Sequence, residues 1–219
     1  MAADARFSEL TLDAFGERLA SADPVPGGGS AAAVAGSLGA ALAVMVARLS
    51  QDRPRYAAHG ATHARVLSAG ETARAHFLEL ADEDAAAYAA FVSAQKMSHE
   101  SDAELTARRH ALARAAHVAT AAPLDTMRLC RSTIDLVEAL VGRSNVNASS
   151  DLDVAAYLLA AAAASAAANV RINLPPTGDP AFQATTEAEV TDLLDGVRLQ
   201  EARIHRLVAS GEAREAEPS

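Results

Sequence analysis

The sequence predicts an all-α protein, a single bundle of long antiparallel helices, and three observations carry that expectation. Half of the 219 residues are apolar, yet aromatic residues make up 4% and tryptophan is absent. A core without large rings must be built from Ala, Leu and Val, which suits helices whose backbones approach closely. Apolar positions recur at helical spacing along most of the chain, and no stretch alternates with period two for long enough to make a strand.

The first helix is expected from Thr11, whose side chain can cap it, with Leu12, Phe15 and Leu19 on one face and a stop before Asp23-Pro24. A loop over 23–29 leads to a second helix over 30–50. This helix is almost wholly apolar, and Ala33, Gly36, Ser37, Ala40 and Ala41 admit a close neighbour, so it is the expected central helix. Residues 51–56, with Arg53-Pro54-Arg55, connect to a third helix over 57–94 in which Gly60 and Gly70 are candidate bend points. Ser101-Asp102-Ala103-Glu104 has the form of a capping box and starts a fourth helix, which Pro123 is expected to kink before it ends near Gly142. After a polar loop over 143–149, Ser149 or Ser150 can cap a fifth helix that Leu174-Pro175-Pro176 ends. Asp179 and Pro180 open the last helix, to about Ala209. One domain over residues 1–210 follows, with a short flexible tail over 211–219.

A net charge of −9 argues against nucleic acid or an anionic membrane as partner, because a binder of either presents a basic face. Two uncharged stretches, 24–47 and 154–170, invite a membrane reading. The second is short for a bilayer and the first opens on a Gly/Pro turn and is mostly Ala and Gly, so both are expected to be buried helices. The lone Cys130 cannot form an internal disulfide, and Asp4, Arg6 and Glu9 stand where a secretory signal would be basic and then apolar. A cytoplasmic location is the expectation. His59 and His63 are four apart but have no third ligand at diagnostic spacing, so surface positions are expected for them and no metal site. No phosphate-binding lysine motif, dinucleotide fingerprint or nucleophile elbow occurs.

Four segments, in order, carry a resemblance. Pro24-Val25-Pro26-Gly27-Gly28-Gly29-Ser30 opens the second helix, and Asp82-Glu83-Asp84-Ala85-Ala86-Ala87-Tyr88 lies in the third. Asn145-Val146-Asn147 with Ser150-Asp151-Leu152 precedes the fifth helix, and Asn169-Val170-Arg171-Ile172-Asn173-Leu174 ends it. Together, over about residues 8–205, they resemble the formimidoyltetrahydrofolate cyclodeaminase and methenyltetrahydrofolate cyclohydrolase family. Two departures are visible: Pro54 interrupts a stretch that the family commonly fills with lysines, and Met97-Ser98-His99 stands where it often has Leu-Pro-Lys.

The resemblance implies an all-α homodimer that binds a folate beside the Gly-rich loop, near the dimer interface, and needs no metal or redox cofactor. It implies one of two reactions: hydration of 5,10-methenyltetrahydrofolate to the 10-formyl compound, or closure of 5-formimidoyltetrahydrofolate with loss of ammonia. The absence of an appended formiminotransferase domain leans toward a stand-alone cyclohydrolase. The same fold acting on another imine-like metabolite, or a silent dimeric binding protein, are the alternatives. Both reactions pass through a cationic amidine-like carbon, which carboxylates stabilise and serve as general bases, and Asp84 and Asp151 are the two inside the motifs. They are expected to share one cleft.

Each candidate has a plainer reading beside it. Asp84 can be one of three solvated acids with Asp82 and Glu83, and Asp151 can serve the helix dipole in the first turn of its helix. Pro26, Gly27, Gly28, Gly29 and Ser30 can cradle a ligand oxygen on free helix N–H groups or form a tight entry turn. A β-branched residue at Gly28 is expected to be damaging, since it disfavours positive backbone angles and fills ligand space. Asn145, Asn147, Asn169 and Asn173 match the edges of a pterin, or serve turns and a helix end. Arg53 and Arg55, with Tyr56, are placed to meet a folate glutamate tail, or form a solvated loop.

Overall fold

Six helices organise the computed structural model, which describes residues 6–216, and no strand occurs among the described residues. They are α1 (Leu12–Leu19), α2 (Gly28–Ser50), α3 (Gly60–Gln95), α4 (Asp102–Leu140), α5 (Ser149–Asn173) and α6 (Pro180–Ser210). The ends follow local chemistry. The Thr11 hydroxyl accepts from the Ala14 N–H and starts α1; Ser101 and Glu104 form the reciprocal capping box of α4; Asp179 accepts from the Ala181 and Phe182 N–H groups ahead of Pro180 in α6.

Two boundaries depart from expectation. Residues 54–59 form a 3₁₀ turn, because Pro54 fixes the entry, and the third helix starts only at Gly60. Neither Ser149 nor Ser150 caps α5; a 3₁₀ turn, Val146–Ala148, feeds into it from Asn145. α4 runs through Pro123 as one helix of 39 residues and ends at Leu140, close to the expected Gly142.

α4 packs against α2, α3, α5 and α6, and around it α3, α2, α5 and α6 form an arc of sequentially antiparallel neighbours. Close approach is built from small residues. A Cβ on Gly36 would stand 2.5 Å from the Phe77 ring of α3, so the one large ring fully enclosed in the core is accommodated by a missing side chain on α2. Cys130 is fully buried in the same core, where desolvation pushes its thiol well above the ordinary range. Residues 212–216 lie along the end of α4: the Arg214 N–H donates to the Gly142 carbonyl at 3.0 Å and its guanidinium pairs with Glu138 at 2.9 Å.

By length and composition, α2 and the segment Val146–Thr177 could cross a membrane. The apolar window of α2 is 61% buried, but that of the α5 segment only 44%. The consequence is an uncharged outer stripe on α5, Val154, Tyr157, Ala161, Ala164, Ala168 and Ile172, beside Leu38, Met45 and Leu49 of α2.

Candidate functional site

A cavity of about 460 Å³ opens where the N-terminus of α2 meets the middle of α3, the Pro123 region of α4 and the C-terminus of α5. Its volume falls in the range of small-molecule sites. Its walls include Pro24, Val25 and Gly27 from the loop, Gly28 and Gly29 from the first turn of α2, Asp84, Tyr88 and Phe91 from α3, and Asn169, Ile172 and Asn173 from α5.

Asp84 is the charged group in this wall. The Ser30 hydroxyl lies 3.0 Å from its Oδ2 and 3.0 Å from the Ala81 carbonyl, and the Ser30 N–H also bonds to the carboxylate. Gly27, the residue before α2, has no side chain to cap the helix, so a carboxylate from α3 takes that role. Burial holds the Asp84 carboxyl above its ordinary value of 3.8, while the two bonds from Ser30 pull the other way. The three-acid run is thereby sorted: Asp82 accepts the Phe7 N–H at 2.9 Å, Glu83 faces solvent, and Asp84 alone of the three lines the cavity.

The two adjacent glycines differ. A Cβ on Gly29 would overlap the Asp84 carboxylate, reaching 2.5 Å from its Cγ, whereas one on Gly28 would meet only the Asn169 amide at 3.7 Å. Gly28 is helical and has no positive φ, so the backbone argument for a glycine there is overturned. Gly29 is the position that cannot take a side chain. Ser30 is fully buried, and Pro26, buried too, follows a cis peptide bond.

The amides on α5 are positioned by different means. Asn169 donates to the Ser165 carbonyl within its own helix at 2.9 Å. Asn173 donates across to the Ala119 carbonyl of α4 at 2.8 Å. That carbonyl is four residues before Pro123, which has no N–H to give it, so the proline inside α4 creates the acceptor that fixes Asn173. Tyr88 and Phe91, absent from the sequence-derived set, follow Asp84 by four and seven residues and therefore share its helix face; that spacing was the available signal.

The remaining sequence-derived residues lie at the opposite end of the bundle. The Asn145 N–H donates to the Ser50 hydroxyl at 2.8 Å, placing it at the C-terminus of α2, 21 residues or about 31 Å of helix from Gly29. The Asn145 carbonyl oxygen of the side chain accepts the Asn147 N–H, and the Tyr56 hydroxyl accepts the Val146 N–H. These groups hold a turn together. Arg53 and Arg55 are exposed nearby, Arg55 lying 5.6 Å from the Tyr56 ring centroid. His63 is buried with its ring nitrogen 2.9 Å from the Arg143 carbonyl, correcting the surface position expected for it, and burial lowers the pKa of His59. No cluster of three metal-binding side chains occurs among the described residues. Two cavities lie at this end, of about 140 Å³ beside Asn145 and about 350 Å³ beside Arg53 and Tyr56, both smaller than the one at the loop end.

Asp151 stands in the first turn of α5, and 18 residues, about 27 Å of helix, separate it from Asn169. The expectation that Asp84 and Asp151 share one cleft therefore fails within one chain. The antiparallel course of α2 and α5 sends the motif that opens each helix to opposite ends of the molecule.

Compared with known proteins, the chain matches the formiminotransferase-cyclodeaminase family over residues 11–192. It is 35% identical to methenyltetrahydrofolate cyclohydrolase of Methylorubrum extorquens, across 91% of this chain and 96% of that protein. It is 32% identical to the formimidoyltransferase-cyclodeaminase of Rattus norvegicus across 90% of this chain, and spans 36% of that longer protein. The crystal structure of formiminotetrahydrofolate cyclodeaminase from Thermotoga maritima superposes with a TM-score of 0.84 at 28% identity, covering 93% of this chain and 98% of that one.

Proposed function

The chain belongs to the formiminotransferase-cyclodeaminase family, and on that premise we propose that it is a folate one-carbon enzyme acting at the Asp84 cavity, as a cytoplasmic homodimer without metal or redox cofactor. One observation carries the reading. A carboxylate with raised proton affinity stands in the wall of a ligand-sized cavity, among two side-chain amides and two aromatic rings.

The substrate carbon lies between two nitrogens that share a positive charge. Asp84 attracts that charge, and it can take the proton of a water molecule as the oxygen bonds to the carbon. The tetrahedral adduct then breaks one carbon–nitrogen bond: the leaving nitrogen receives the proton from Asp84, the adduct's hydroxyl releases its own proton to solvent as the carbonyl forms, and a formyl group stays on the other nitrogen. In the alternative reaction a folate nitrogen attacks a formimidoyl carbon and ammonia leaves through a similar adduct, with the same carboxylate moving the proton. The carbon keeps its oxidation state in both, so no redox cofactor is called for. Burial suits Asp84 to this work, because a proton carrier functions best when its pKa lies nearer the working pH than a solvated carboxylate's does. Asn169 and Asn173 suit the donor and acceptor edge of a pterin, and Tyr88 and Phe91 suit its faces.

Hydration of the methenyl bridge is the first reading, because of two relatives matched over nearly their whole length the cyclohydrolase is the more similar in sequence, 35% identical against 28% for the cyclodeaminase. The homodimer is supported by the apolar residues that α2 and α5 leave exposed, Leu38, Met45 and Leu49 on one and Val154, Tyr157 and Ile172 on the other, which a second copy could cover. The test follows the near-ultraviolet absorbance of 5,10-methenyltetrahydrofolate in chelator-treated buffer. The proposal expects faster loss with protein than without, unaffected by chelator. Release of ammonia from 5-formimidoyltetrahydrofolate, with no effect on the methenyl compound, would replace the first reading with the second, and inertness toward both would overturn the folate assignment.

A further inference from the structure

We propose that Pro123 is a positioning residue of the Asp84 cavity: by leaving the Ala119 carbonyl without a helical partner, it locks the Asn173 amide with its oxygen toward the ligand, so that this wall selects an N–H donor. The ligand's part in this rests on the one-carbon reading above; the lock rests on the fold alone.

Pro123 stands buried inside α4, a helix of 39 residues. A proline there costs the helix stability, because it supplies no N–H and its ring pushes aside the carbonyl four residues back. Here that carbonyl, of Ala119, lines the cavity and receives the Asn173 side-chain N–H at 2.8 Å. A local rule of helix building is thus broken where a ligand site is made, which is where such breaks are expected.

The Asn173 amide has little freedom to turn. Its backbone is held at the end of α5, where the next carbonyl, of Leu174, accepts the Thr177 hydroxyl at 2.6 Å and the Gln183 side-chain N–H at 3.1 Å. The Ala119 carbonyl can be met only by the nitrogen end of the amide, since the reversed amide would set oxygen against oxygen. The Asn173 side-chain oxygen accepts no bond among the described residues and is not sealed inside the protein, so it is the end left for a ligand. Asn169 is the contrast. Its amide donates to the Ser165 carbonyl, four residues back on α5, which already receives the Asn169 backbone N–H. Reversing that amide strands no carbonyl, so Asn169 can offer either end. One amide is therefore fixed and the other adaptable: Asn173 selects a donor, and Asn169 adjusts to the group beside it. The edge of a reduced pterin carries N–H groups that can meet the fixed oxygen.

The test compares Pro123→Ala, Asn173→Asp and the double variant. Pro123→Ala gives the Ala119 carbonyl a helical partner and frees the Asn173 amide. The side-chain N–H resonances of Asn173, identified in NMR spectra by their loss in Asn173→Asp, are expected to move away from hydrogen-bonded positions in Pro123→Ala, while its melting temperature holds or rises. With 5,10-methenyltetrahydrofolate, KM should rise about three- to tenfold, the range of one hydrogen bond, with kcat little changed because Asp84 is untouched. Asn173→Asp sets a carboxylate oxygen against the unpaired carbonyl and should raise KM further. Adding Pro123→Ala to it should lower KM again, a rescue that a merely structural proline would not give. Unmoved Asn173 resonances, an unchanged KM in Pro123→Ala, or a double variant worse than Asn173→Asp would each overturn the proposal. Should Pro123→Ala fail to fold, the native background decides: Asn173→Asp should raise KM more than Asn169→Asp, because the Ser165 carbonyl keeps its helical partner, and equal effects would overturn the lock. A chain inert toward folates whose Asn173 resonances move in Pro123→Ala would sustain the lock while the substrate reading failed.

Discussion

The two ends of the bundle carry equally polar motifs and use them differently. At the loop end, Asp84 is held by Ser30 against the start of α2 and still faces a cavity of about 460 Å³, together with Asn169 and Asn173. At the other end, the Asn145 N–H and side-chain oxygen are both engaged, the Tyr56 hydroxyl receives the Val146 N–H, and the neighbouring cavities are about 140 and 350 Å³. The difference teaches that a polar motif becomes a site only where hydrogen-bonding capacity is left over and there is space to meet it. Within one chain, the loop end is the one that sets a carboxylate of raised proton affinity in the wall of such a cavity.

The largest expected effect tests that asymmetry at its charged centre. Asp84→Asn keeps an acceptor for Ser30 but removes the base, so turnover should fall by roughly 10²–10⁴ with the melting temperature little changed. Steady-state kinetics and circular dichroism would check this together. A variant that retains wild-type turnover would move the chemistry away from the loop end.

Gly29→Ala should come next. Its Cβ displaces the Asp84 carboxylate from Ser30, and losing such charge-assisted bonds costs about 2 kcal/mol, or roughly 4–8 °C in melting temperature for a chain of this size. Gly28→Ala is the matched control. It sits in open helix geometry 3.7 Å from the nearest side chain, and it should melt at or slightly above the wild-type temperature. Equal damage from both would show that the loop is sensitive for reasons other than Asp84.

Ser30→Ala sharpens the electrostatic side. Burial raises the Asp84 pKa and the Ser30 hydroxyl lowers it, so removing the hydroxyl raises it further. A general base works deprotonated, and therefore the acid limb of kcat/KM should move to higher pH in the variant. The sign for stability is opposite to that of a salt-bridged carboxylate. The folded chain holds the Asp84 proton more tightly than the unfolded chain, so this group's contribution to stability declines as pH rises from 3.8 through the folded value. An acid limb that stays in place would mean that another group sets it. The smallest effect is expected at Asn147, which is exposed and contributes a backbone N–H: Asn147→Ala should change stability by no more than about 0.5 kcal/mol in thermal melts.

Much of the fold was legible because helix ends are written locally. Thr11, the Ser101–Glu104 box and Asp179-Pro180 act through bonds within three residues of themselves. The loop end was legible in part for the same reason, since a glycine run ahead of an apolar helix is a local signal. What escaped depends on contacts across helices. That Gly29 rather than Gly28 is sterically required depends on where α3 places Asp84; that Asn173 is fixed depends on a carbonyl freed by Pro123, 50 positions earlier in the chain. Within one chain the grouping of Asp84 with Asp151 failed because shared motifs and chemistry do not fix nearness, and the antiparallel helices carry the two to opposite ends.

The central claim is that the loop end holds the ligand, and amide hydrogen exchange with and without the unreactive folate 5-formyltetrahydrofolate tests it most directly. The account predicts added protection at residues 28–30 and 84–91 and at the C-terminal turns of α5. Protection confined to residues 53–56 and 143–148, with none at 28–30, would contradict it.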